Sequence, residues 1–104
     1  MAQHRFSVLL LAGLSTQALA HFPVMECWQS KGTITCQAGW TDGGSAQSLP
    51  VSLYDYDDNL MAEAMTDAQS MVRFDKPEGD YYLLYDPSHE TTIEVDGLDI
   101  RERE

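Results

Sequence analysis

The stretch from Glu26 to Trp40 constrains the fold more tightly than any other part of the chain. Two β-rich runs, Glu26 to Ser30 and Thr33 to Trp40, flank Lys31-Gly32. A two-residue connection of this kind is a hairpin turn, with Gly32 supplying a positive φ angle. Counting outward from the turn, Ser30 with Thr33 is a hydrogen-bonded pair, Gln29 with Ile34 is not, Trp28 with Thr35 is, and Cys27 with Cys36 is not. Non-hydrogen-bonded pairs bring their side chains closest, so Cys27 and Cys36 are expected to close a cross-strand disulfide. The second run sends Ile34, Cys36, Ala38 and Trp40 inward and Thr33, Thr35 and Gln37 outward, the alternation of a strand with one buried face.

Short β-type runs separated by turn residues continue along the chain at Val51 to Tyr56, Leu60 to Met65, Met71 to Phe74, Tyr81 to Tyr85 and Thr91 to Val95. Leu60 to Met65 has a helix-compatible composition, but it is short, has no following cap and lies between turn clusters, so it reads as a strand. The expectation is an all-β domain over residues 21–100, a single antiparallel seven-stranded sandwich of immunoglobulin or transthyretin type. The charged tail, residues 101–104, is expected to fray.

Residues 1–20 read as a cleaved signal peptide. Arg5 stands in a short n-region, an apolar run extends from Phe6 through Leu14, and Ala18-Leu19-Ala20 forms an A-x-A cleavage site. Export to an oxidising compartment favours the disulfide, and a bacterial periplasm fits the size and the style of the signal. After the signal, no apolar run is long enough to span a membrane. The whole chain has a formal charge of −11, which becomes −12 once Arg5 leaves. Such a field repels phosphate backbones and attracts cations or basic partners, which argues against nucleic-acid binding.

Cleavage after Ala20 would make His21 the first residue. An N-terminal histidine offers a metal two nitrogens, its α-amine and its ring Nδ1. The mature chain holds one other histidine, His89. The amine and the two rings together would supply three nitrogens, a set that suits Cu(II) or Ni(II), with Zn(II) also in range. Binding competes with protonation of an amine near about 8 and an imidazole near about 6.5, so affinity is expected to fall in acid. Glu90, adjoining His89, Glu26, facing away from the disulfide, and Asp86 are the candidate oxygen ligands or orienting groups, Glu90 foremost. Met25 is a candidate soft ligand, with core filling as its alternative.

Val51-Ser52-Leu53-Tyr54-Asp55, Thr66-Asp67-Ala68, Val72-Arg73-Phe74, Pro77-Glu78-Gly79-Asp80-Tyr81 and Tyr85-Asp86 together resemble the carboxypeptidase-regulatory-like, or transthyretin-like, β-sandwich repeat. The resemblance implies a fold and says little of function. Ser70 stands where that family commonly has glycine after T-D-A. The chain is also similar to small exported bacterial proteins of metal-uptake loci, through His21 and through Ser88-His89-Glu90.

Other chemistries find less support. Asp55-Tyr56-Asp57-Asp58-Asn59 opens like an EF-hand loop, but Leu60 and Thr66 occupy the positions that need glycine and glutamate, so it reads as an acidic hairpin turn. No nucleophile elbow or triad motif occurs, and the chain is read as a non-enzyme. Two readings stand: a periplasmic protein that holds copper, nickel or zinc and passes it to a metal transporter, and a metal-free adaptor that binds another envelope protein. A copper oxidase would use the same ligands but lacks an extended substrate face.

Overall fold

A computed structural model describes residues 21–88 and 90–103. The proposed signal peptide over 1–20, His89 and Glu104 lie outside the described residues. The chain forms β1 (Pro23–Ser30), β2 (Thr33–Trp40), β3 (Pro50–Asp55), β4 (Leu60–Met65), β5 (Met71–Asp75), β6 (Tyr81–Tyr85), β7 (Ile93–Asp96) and β8 (Arg101–Glu102), with one 3₁₀ turn at Gly97–Asp99. Two four-stranded sheets result, ordered β5-β2-β1-β8 and β4-β3-β6-β7.

The β1–β2 hairpin has the register that its turn dictates, with Ser30 opposite Thr33 and Cys27 opposite Cys36. Lys31 and Gly32 both take positive φ, 52° and 82°, the backbone of a type I′ turn. The sequence singles out Gly32 alone; Lys31 accepts the left-handed strain because the turn's twist must match that of the strands. Cys27 and Cys36 are disulfide-bonded with their Cα atoms 4.1 Å apart, as suits a non-hydrogen-bonded pair.

Alternation fills the space between the sheets. Ile34, Cys36, Val51, Leu83 and Tyr85 are fully buried, and Leu53, Val72, Phe74 and Tyr81 are nearly so. Burying these side chains is the main stabilising term, about 1.5 to 3 kcal/mol for each large apolar group. Gly97 passes so close to Tyr81 that a Cβ there would lie 2.6 Å from the ring. Ser70 adopts φ 65°, a left-handed backbone that glycine takes without strain. Its buried hydroxyl offsets that strain by accepting a 2.7 Å hydrogen bond from the Ala46 N–H.

Three expectations need correction. The described residues form eight strands, because residues 101–102 pair in parallel with Trp28 and Gln29 instead of fraying. Ile100, 5% exposed, anchors this tail in the core. Arg103 then donates its backbone N–H to the Gln29 carbonyl and lays its guanidinium 4.1 Å from the centre of the Trp28 ring. Trp40, expected inward like Ile34 and Ala38, is only partly buried, since its strand ends at the rim of the sandwich. Strand limits also shift: β1 begins at Pro23, β3 runs from Pro50 to Asp55, β5 reaches Asp75 and β7 begins at Ile93.

Candidate metal centre

The hairpin register extends past the last ladder pair. Pro23 faces Trp40, so the next residues along, Phe22 and His21, face Thr41 and Asp42. The Thr41 N–H donates to the Phe22 carbonyl at 2.8 Å, and the Phe22 N–H donates to Thr41 Oγ1 at 2.9 Å. Those two bonds carry the hairpin to His21. The His21 ring stacks on Trp40, with centroids 4.2 Å apart and planes 12° from parallel. Its Nδ1 lies 2.6 Å from Asp42 Oδ2.

Asp42 is itself held. Its Oδ1 accepts the Gly44 N–H at 2.9 Å. The hydrogen bond from His21, then that from Gly44, keeps the Asp42 carboxyl below the usual carboxylate range. Both side chains remain open to solvent, at 60% and 42% exposure. A pinned imidazole and an ionised carboxylate therefore stand together at an accessible rim.

The other sequence-derived candidates divide as follows. β6 ends, and the connection toward β7 leaves it, at this same end of the sandwich, where the Tyr85 hydroxyl reaches the Gly39 carbonyl at 3.4 Å, next to Trp40. Glu90 is exposed on that connection, and His89 on it is outside the described residues. Glu26 lies on the outer face of β1, where its Oε1 accepts a 2.7 Å charge-assisted bond from Arg103. Met25 is half-buried against the core. Among the described residues, no three His, Cys, Asp or Glu side chains converge as a ready ligand set.

The acidic hairpin turn is closed by its own first carboxylate. Asp55 Oδ1 accepts the N–H groups of Asp57 and Asn59, and Oδ2 accepts from the Asn59 side chain at 3.1 Å. These bonds hold the Asp55 carboxyl below its ordinary range.

Sequence reasoning missed Asp42 and the stacking role of Trp40. The signal was present: carrying the Cys27–Cys36 register back to residue 21 puts His21 opposite Asp42 and diagonal to Trp40. No family model, curated protein or solved structure matches this chain, so its candidate site stands on its own residues and geometry.

Proposed function

We propose that this is a small exported protein that holds a copper, nickel or zinc ion at His21 and delivers it to a transport system in the envelope. The observation that carries this reading is the fixed pose of His21, stacked on Trp40 with Nδ1 against the Asp42 carboxylate. Ordering a histidine in advance lowers the entropy that metal capture must overcome.

Signal cleavage after Ala20 would free an amine on the same residue. The metal would then take the place of the proton shared by Nδ1 and Asp42 Oδ2, with the amine, Nδ1 and the carboxylate as donors. Nδ1 and Oδ2 at 2.6 Å are close enough for one ion to reach both at ordinary bond lengths of about 2.0 to 2.2 Å. Glu90, exposed on the connection that leaves β6 at this end, and His89, its neighbour in sequence, are the proposed completing ligands. Glu26 is the weaker candidate, because Arg103 already engages it. Loading displaces protons, so affinity should rise from acid toward neutral pH.

Titration of the protein beginning at His21 with Cu(II), Ni(II) and Zn(II) tests this. We expect one-to-one binding that weakens by about ten- to a hundredfold in each of three variants: one glycine added before His21, His89→Ala, and Asp42→Asn. Binding that is absent, or that ignores the added glycine, would overturn the reading and leave a metal-free adaptor.

A further inference from the structure

The charged residues are sorted between the two sheets. Every Lys and Arg of residues 21–104 lies on or beside the first sheet: Lys31 in the β1–β2 turn, Arg73 and Lys76 in and just after β5, Arg101 and Arg103 in and after β8. Residues 50–65 and 81–96, which supply all four strands of the second sheet, contain eight Asp or Glu and no Lys or Arg.

The outer face of that second sheet is also the aromatic one. Register sets two rows across it, Glu63–Ser52–Leu84–Glu94 and Leu60–Tyr54–Tyr82–Asp96. Tyr54 and Tyr82 stack at 5.3 Å with planes 14° apart. The Tyr82 hydroxyl donates to Asp58 at 2.8 Å, and the Tyr56 hydroxyl donates to both Asp96 oxygens at 2.7 and 2.9 Å. These bonds fix the rings before any partner arrives. A bulge at Tyr54 sets both Leu60 and Met61 against it, and with Met65 they leave about half of each side chain exposed along the edge strand.

The first sheet shows what such a surface recognises. There the Trp28 ring and the Glu26 carboxylate together grip Arg103, an aromatic face supplying cation–π attraction and a carboxylate supplying the ion pair. The second sheet repeats the aromatic-and-carboxylate arrangement, but its own strands provide no cation to fill it. A second copy of this acidic chain would be repelled from it.

We propose that the outer face of the β4-β3-β6-β7 sheet docks a lysine- or arginine-bearing segment of a partner protein, with cationic side chains over Tyr54 and Tyr82 and apolar ones against Leu60, Met61 and Met65. This does not depend on the metal reading: the face and the His21 rim share no residue, and either can fail alone.

The test is NMR titration of the exported protein with the acetylated, amidated peptide (Arg-Val)4, beside a peptide with glutamine for arginine. The shifts should map to residues 52–56, 60–65, 82–84 and 94–96, and only for the arginine peptide. Glu63→Lys with Glu94→Lys should weaken binding by about tenfold or more, while Asp75→Lys with Glu102→Lys, an equal charge change at exposed positions of the first sheet, should change it by less than about twofold. Tyr54→Ser, with its fold checked by the same spectra, should weaken it by about three- to tenfold. No binding, shifts centred elsewhere, or equal weakening by both charge-reversal pairs would overturn the proposal, the last by reducing it to attraction between net charges.

Discussion

The first sheet answers its own surface groups and the second leaves its groups facing outward. On the first, a disulfide joins β1 to β2, the tail adds a strand, and Trp28, Glu26 and Arg103 satisfy one another. On the second, tyrosines and carboxylates bond to each other, yet Leu60, Met61 and Met65 remain exposed and no cation stands among the strands. The two sheets share a core of the same kind, so the difference lies in what each outer face has been given to do. A face completed from within stabilises the domain; a face left acidic and aromatic is available to another molecule.

The largest test of this contrast is removal of the covalent link. Cys27→Ala with Cys36→Ala should cost about 2 kcal/mol, near the lower end for disulfides because the closed loop is short. Urea unfolding followed by circular dichroism would measure it, and an unchanged midpoint would mean that the first sheet owes little to its bridge. Next in size, Arg103→Ala should cost about 1 kcal/mol by removing an exposed ion pair and a cation–π contact. It should also speed exchange of the backbone amide at position 103, which bonds the Gln29 carbonyl in the native chain. Unchanged exchange there would mean that Ile100 alone holds the tail.

The smallest effect belongs to the second sheet. Hydrogen bonds to Asp96 and Asp58 push the phenols of Tyr56 and Tyr82 up from 10.0 to about 12. A folded-state value above the unfolded one means the stabilisation is intact below pH 10 and is lost as pH rises toward 12. Spectrophotometric titration should show Tyr56 and Tyr82 ionising late, beside Tyr81 and Tyr85, whose phenols burial also pushes up, and Asp58→Asn should bring Tyr82 down while leaving Tyr56 in place. If both fall together, the face behaves as one coupled network instead of two separate pairs.

Much of this architecture was legible in the chain because it depends on local period and turn chemistry. Lys31-Gly32 sets the hairpin register, that register brings Cys27 and Cys36 together, and Ile34, Cys36 and Ala38 fall inward by alternation. The strand at Leu60–Met65 was legible for the same reason, despite its helix-compatible residues. The eighth strand was not, because Arg101–Glu102 is too short and too charged to carry a pattern. It exists only because buried Ile100 delivers it to the edge of β1, where Trp28 waits for Arg103. At the rim, His21 could be named from the cleavage motif, whereas Asp42 required following the ladder beyond its last pair.

Sequence by itself determined the all-β class, the central hairpin with its disulfide, the alternating core and the acidic balance, since each follows from neighbours in the chain or from a sum over it. Only the tertiary structure decided that the cations collect on one sheet and the tyrosine-lined carboxylates on the other, that the tail closes the first sheet, and that Asp42 and Trp40 hold His21. The physical reason is that strand order within a sheet is set by which faces can be buried together across long loops. Surface charge and rim contacts inherit that order, and no local period encodes it.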